Sequence, residues 1–180
     1  MKKLFAIMFV AFIMATASYA QATFNIRVGG GLHQAYSESY SSYNYSYGYN
    51  YYYYDDGIES YPSAAFVFET NIPLGGRASK FVFSPSLFIA SDCLNLVAFN
   101  VPLYFGYKIP MSSSSIFIPK IGPMLGYDIS TNSDVYSDFA AGLSAEIAFE
   151  IKHFIIAANV DVNLYNENAV GALCTVGYKF

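Results

Sequence analysis

The sequence predicts an all-β chain, an eight-stranded antiparallel up-and-down transmembrane β-barrel with a polar, largely plugged lumen. Three observations carry the prediction. Beyond Ala20 the chain is a succession of segments, roughly ten residues each, in which apolar side chains alternate with small or polar ones. That period of two puts the two sets on opposite faces of a strand. The composition is 54% hydrophobic and 19% aromatic but only 12% charged, with mean hydropathy +0.32. A soluble domain carries about 25% charged residues. Past the N-terminus no apolar run approaches the ~20 residues of a spanning helix, so the apolar side chains suit strands with one face in lipid. Finally, the segments number about eight, and an even count returns both chain ends to one side of the bilayer.

Met1-Lys2-Lys3, the apolar run Leu4 to Ala15 and the small residues ending Ser18-Tyr19-Ala20 read as a secretory signal. They form a basic n-region, a core too short to span a bilayer and an A-x-A-like cleavage site. Residues 1–20 are therefore expected to be removed, leaving 21–180 as the barrel. No Cys lies near the cleavage site, so lipoprotein processing has no support. Without Lys2 and Lys3, 13 acidic side chains face 7 of the original 9 basic ones. That acidity argues against nucleic acid as a partner.

In the first strand, Thr23 to Leu32, Phe24, Ile26, Val28 and Leu32 alternate with Asn25, Arg27, Gly29 and Gly31. Residues 34–61 follow, rich in Tyr, Ser, Asn and Gly, and are expected to be a long surface loop or a hairpin rising out of the membrane. Within them Tyr43, Tyr45, Tyr47, Tyr49 and Tyr51 recur with strand period before Tyr53 and the Asp55-Asp56-Gly57 turn signal. The second strand, about Ser63 to Ile72, sets Phe66, Phe68 and Ile72 against Val67, Glu69 and Asn71. The third, Lys80 to Ala90, sets Phe81, Phe83, Leu87 and Ile89 against Ser84, Ser86 and Phe88. The fourth, Leu96 to Lys108, sets Phe99, Leu103, Phe105 and Tyr107 against Asn100, Tyr104, Gly106 and Lys108.

The fifth, Ile116 to Asp128, has Phe117, Ile121, Leu125 and Tyr127 on one row and Lys120, Gly122, Met124 and Gly126 on the other. The sixth, Asp138 to Ile151, alternates without a fault, Phe139 through Ile151 against Ala140, Gly142, Ser144, Glu146, Ala148 and Glu150. The seventh, Phe154 to Tyr165, sets Ile156, Ala158, Val160 and Val162 against Ile155, Ala157, Asn159 and Asp161. Pro85, Pro102, Pro119 and Pro123 stand inside these strands without a ladder N–H, so bulges or broken pairing are expected there.

The last strand, Val170 to Phe180, puts Val170, Ala172, Cys174, Val176, Tyr178 and Phe180 on one row and Gly171, Leu173, Thr175, Gly177 and Lys179 on the other. A ten-residue strand ending the chain on Phe resembles the small outer-membrane β-barrels of Gram-negative bacteria, of the OmpX-like, OmpA-like and PorT-like kind. The run Ile118-Pro119-Lys120-Ile121-Gly122-Pro123 is similar to PorT-like sequences. The resemblance implies a cell outer-membrane location and, in Tyr178 and Phe180, a tag read by the barrel-insertion machinery.

Alternation does not say which row faces inward. A soluble lipocalin-like barrel would put the apolar row around a ligand and the polar row in water. The polar row here is mostly Gly, Ala, Ser and Asn, too weakly charged to solubilise an exterior but suited to a narrow lumen. Side chains nearly fill the bore of an eight-stranded barrel, and buried charges there need partners. Arg27 and Lys120 against Glu69, Glu146, Glu150 and Asp161 are expected to form a lumenal charge network in the lower half of the barrel. Aromatic residues near strand ends are expected to form girdles at both interfaces.

The leading functional reading is a non-enzymatic barrel held in outer-membrane lipid whose loops contact an extracellular protein or glycan through the Tyr-rich segment, or serve the envelope structurally. A narrow passive pore and a soluble barrel binding an apolar ligand are the alternatives. No cofactor is expected, and no His, Cys and carboxylate cluster has metal-ligand spacing. Cys93, in a loop tip, and Cys174, facing outward across the barrel, are expected to be free thiols. His33 with Ser37 and Ser39 is the sole start of a catalytic grouping, and His153 lies in a turn.

Overall fold

The computed structural model describes residues 22–44, 50–75, 78–91, 96–130, 138–165 and 170–180, with the backbone alone over 33–44 and 50–61 and at 96, 128, 130 and 138. Eight long strands follow in order: β1 Thr23–Asn44, β2 Asn50–Pro73, β3 Phe81–Ser91, β4 Leu96–Tyr107, β5 Ser115–Ser130, β6 Asp138–Ile151, β7 Phe154–Asn163 and β8 Val170–Lys179. Each pairs antiparallel with the next, Ile109–Pro110 adds a short pairing to β5, and β8 returns to β1 from Asn25↔Lys179 to His33↔Gly171. The sheet is closed. Its closure removes the unpaired edges that hydrocarbon would penalise.

The end holding Thr23 and Lys179 is here the terminal end, and the opposite one, toward Asn44, the ribbon end. At the terminal end β6 turns into β7 through Lys152–His153, with Lys152 at φ 56°, the left-handed conformation that tight hairpins demand.

The sixth strand falls on its expected bounds, and the third, fourth, fifth, seventh and eighth within two residues of theirs. The first and second do not. Residues 34–61, expected as a long surface loop or a hairpin rising out of the membrane, take the hairpin form in their described part: β1 and β2 pair without interruption from Thr23↔Asn71 to Asn44↔Asn50. The alternating tyrosines already carry strand period, but the residues between them give no apolar row to mark how far a strand extends. Tyr43, Tyr51 and Tyr53 lie in this ladder, whereas Tyr45, Tyr47 and Tyr49, like the signal segment and Cys93, lie outside the described residues.

The prolines interrupt pairing without shifting it. Between Glu69↔Ser86 and Ile72↔Phe83 the β2–β3 ladder lacks its intermediate pairs, and Pro85 lies in that gap. Pro102 lies in the gap between Pro85↔Leu103 and Phe88↔Asn100 of β3–β4. Pro123 lies in the gap between Pro102↔Met124 and Phe105↔Ile121 of β4–β5. In each ladder the register is the same on both sides of the gap, so broken pairing is present and a bulge is not. Across β5–β6 Pro119 and Pro123 keep their partners Ile147 and Leu143. A missing N–H costs little where the ladder bond is already absent.

The two rows part as the alternation requires. Phe105, Ile121, Leu125, Leu143, Ile147, Ile156, Val160 and Val176 are exposed on the outer wall. Arg27, Glu69, Ser84, Ser86, Phe88, Tyr104, Lys120, Ser144 and Glu146 are buried in the bore. Aromatic residues cluster at the terminal rim, where Phe81 meets Tyr107 at 5.1 Å and Tyr178 meets Phe180 at 5.0 Å between ring centroids. At the other end Phe139 meets Tyr165 at 5.8 Å. An apolar wall between two aromatic bands matches a bilayer with its two interfaces. It excludes the lipocalin-like arrangement, in which the polar row faces water.

Candidate functional site: the lumenal charge ring

Four charged side chains from four strands meet in the bore. Arg27 on β1 lies four residues from the terminal end of its strand, Glu69 on β2 four, Lys120 on β5 five and Glu146 on β6 five. Register places Glu146 directly opposite Lys120, and Glu69 opposite Asn25, two residues from Arg27. Arg27 Nη2 donates to Glu69 Oε2 at 3.1 Å and to Glu146 Oε2 at 2.8 Å. Lys120 Nζ donates to Glu69 Oε1 at 2.7 Å and to Glu146 Oε1 at 2.8 Å. Cation and anion alternate around a closed, electrically neutral ring whose side chains are at most 1% exposed.

Neutral donors complete the carboxylates. Asn25 Nδ2 reaches Glu69 Oε1 at 2.9 Å, and Ser86 Oγ reaches Glu69 Oε2 at 3.2 Å. Arg27 Nη1 donates to Thr175 Oγ1 at 3.3 Å. The guanidinium lies 5.9 Å from the Phe88 ring centroid and Lys120 Nζ 5.9 Å from that of Tyr104, within cation–π range. Arg27 crosses β8 over Gly177, where an added Cβ would stand 2.6 Å from Arg27 Cγ.

Of the six charged residues singled out from the sequence, the structure brings these four together. Asp161 accepts from Ser144 Oγ and from Asn159 Nδ2 at 3.1 Å, and Ser144 Oγ in turn lies 2.5 Å from Tyr104 Oη. Glu150 stands apart at the terminal mouth, paired with Lys179 at 2.5 Å. Sequence reasoning placed Asn25, Tyr104, Ser144, Thr175 and Lys179 on the inward row but gave them no role; their row was the available signal. Tyr178 and Phe180 lie exposed on the outer wall, and Phe180 N donates to Phe24 O at 2.8 Å. Cys174 is a free thiol exposed on that wall. His153 stacks on Tyr178 at 5.4 Å, and its Nδ1 lies 3.3 Å from Lys179 O. Among the described residues no three His, Cys, Asp or Glu side chains could hold a metal ion.

Apolar layers flank the ring. Toward the terminal end Val82, Ile118, Ala148, Ile155 and Ala157 pack together, and toward the ribbon end Val67, Phe88, Leu173 and the Tyr104 ring do so. The bore is filled by side chains at three successive levels. A ring so bonded holds its own shape and occludes the passage.

No protein-family model and no curated protein sequence matches the chain. Solved structures do. Neisserial surface protein A matches at 9% identity over 87% of this chain and 95% of its own, with a TM-score of 0.56. The N-terminal β-barrel domain of Pseudomonas aeruginosa OprF matches at 11% identity over 89% and 98%, with a TM-score of 0.53. At such identities the likeness is one of fold, and it agrees with the closed sheet and its apolar outer wall: the chain has the fold of the small eight-stranded outer-membrane β-barrels.

Proposed function

We propose that the protein is a non-enzymatic, non-conducting barrel of a Gram-negative outer membrane that works through what it holds outside the bilayer. Residues 1–20 export it, outer-membrane lipid surrounds it, and the insertion machinery reads the strand ending in Tyr178 and Phe180. The terminal end faces the periplasm and the ribbon end the exterior. The observation that carries this reading is the ribbon. β1 leaves β8 after His33↔Gly171 and β2 leaves β3 after Ala64↔Ser91, yet β1 and β2 stay paired to Asn44↔Asn50. At about 3.3 Å per residue the pair extends roughly 35 Å past its barrel neighbours.

Register sets Tyr43 opposite Tyr51 and Tyr40 opposite Tyr54, with Tyr53 opposite Ser41. Tyr combines large contact area with a hydroxyl and few rotatable bonds, which suits recognition of an extracellular protein or glycan. The test is a deletion of residues 34–57, compared with the intact chain in cell-surface binding to immobilised matrix proteins and glycans. The expected result is lost binding with unchanged migration of the unboiled protein on gels. Failure of the shortened barrel to assemble, or binding that survives the deletion, would refute the reading.

A further inference from the structure

The described basic side chains fall into two groups. Arg27 and Lys120 are neutralised within the ring. Lys80, Lys108, Lys152 and Lys179 all lie at the terminal end, where Glu150 is the one acidic side chain among the described residues. Three of these lysines surround the mouth of the bore. Lys179 shares the inward row of Thr175, Lys108 follows the inward-facing Gly106, and Lys152 occupies the β6–β7 turn. A cavity of about 280 Å³ opens there, lined by Ser113, Ser114, Ile116, Glu150, Lys152 and Lys179.

Glu150 alone cannot satisfy this set. Glu150 Oε2 is 2.5 Å from Lys179 Nζ. Lys108 is half-buried, and its amine is held below the ordinary lysine range first by burial and then by the Lys179 and Lys120 charges, with Glu150 opposing them. The mouth therefore has an excess of cationic side chains around one recess, where an anion gains more than beside a single lysine. The turn Met111–Ser115 is braced by Ser112 Oγ against Ser115 Oγ at 2.7 Å and by Lys152 N donating to Ser114 O at 2.9 Å, which fixes Ser113 and Ser114 beside the lysines.

We propose that this mouth binds a phosphate ester, held by Lys152 and Lys179 with the hydroxyls of Ser113 and Ser114 as further donors and with Lys108 adding its charge from beside the recess. Lysine serves as a point charge for phosphoryl oxygens, and a recess of this size admits one such group with its ester carbon. The ester can belong to a phospholipid headgroup at the rim or to a soluble molecule entering the mouth. Glu150 competes with it for Lys179, so its neutralisation strengthens binding.

The mature barrel in a neutral maltoside detergent is titrated with glycerol 1-phosphate while the backbone amide resonances of Ser114, Lys152 and Lys179 are followed. Saturable shifts are expected, weakened about tenfold in Lys152→Gln/Lys179→Gln and strengthened a few-fold in Glu150→Gln. Maltoside micelles with and without added phosphatidylglycerol separate the sources. Shifts from phosphatidylglycerol that glycerol 1-phosphate cannot displace assign the site to lipid, and shifts that it displaces assign it to a soluble ester. Absence of saturable shifts with both ligands overturns the proposal, as do shifts matched by chloride at equal ionic strength, or weaker binding in Glu150→Gln. Unboiled gel migration identical to the parent establishes that the variants are folded.

Discussion

Replacing Lys120 by Met tests the ring most directly. Lys120 Nζ lies 2.7 and 2.8 Å from the two oxygens of Glu69 and 2.8 Å from Glu146 Oε1, with side chains at most 1% exposed. An exposed ion pair is worth about 0–1 kcal/mol. Here the substitution leaves two buried carboxylates facing Arg27 alone, one negative charge in excess, and removal of one partner of a buried pair costs about 3–5 kcal/mol. Lys120→Met/Glu146→Leu keeps the neutral Arg27–Glu69 pair, so it should regain most of that loss, and a double-mutant cycle isolates the coupling. The assay is urea unfolding of the barrel refolded into lipid vesicles, followed by far-UV circular dichroism because the chain has no Trp. A cost under about 1 kcal/mol for the single variant, or a double variant no more stable than it, would show the charges to be separately hydrated and the argument wrong.

Three other outcomes follow from the same geometry. Ile147→Arg, at a residue 49% exposed on the outer wall, should cost about 2–4 kcal/mol in vesicles, and Phe154→Arg at the terminal rim about 0–1; equal costs would contradict a bilayer around this wall. Gly177→Ala sets a methyl group against Arg27 Cγ and Ile26 O, so urea unfolding should show a loss of about 1–3 kcal/mol, and an unchanged midpoint would mean that Arg27 does not depend on this crossing. In planar bilayers the barrel should pass no current above background, whereas a reproducible unit conductance would refute the sealed lumen.

Much of the fold was legible because the side-chain period of a strand is rigid. Phe88 is the instructive case: an aromatic side chain on the row of Ser84 and Ser86, it follows that row into the bore and is 1% exposed. The partners of each charge were not legible, since Arg27, Glu69, Lys120 and Glu146 sit on β1, β2, β5 and β6 and meet only through register and closure. Glu150 shares the row of Glu146 and lies four residues, two repeats of the pleat, nearer the rim, which is enough to give it to Lys179 instead. The choice between a loop and a hairpin over 34–61 was not legible, because Ser, Asn and Tyr on both rows give no apolar face to mark a strand. The prolines were correctly expected to break pairing, but no sequence signal tells a gap with constant register from a bulge.

The order of materials along the bore, hydrocarbon then ions then hydrocarbon, makes the barrel its own insulator. An ion entering from either mouth meets, besides Asp161 on one side and the Glu150–Lys179 pair on the other, an apolar layer that offers nothing in exchange for its hydration shell before it reaches the ring. The same two gaskets keep bulk solvent, with its high dielectric constant, away from the four charges and so sharpen their mutual attraction. Damage to either gasket, at Ile118 on one side or on the other at Phe88, whose ring also lies 5.9 Å from the Arg27 guanidinium, therefore weakens the electrostatic lock between them.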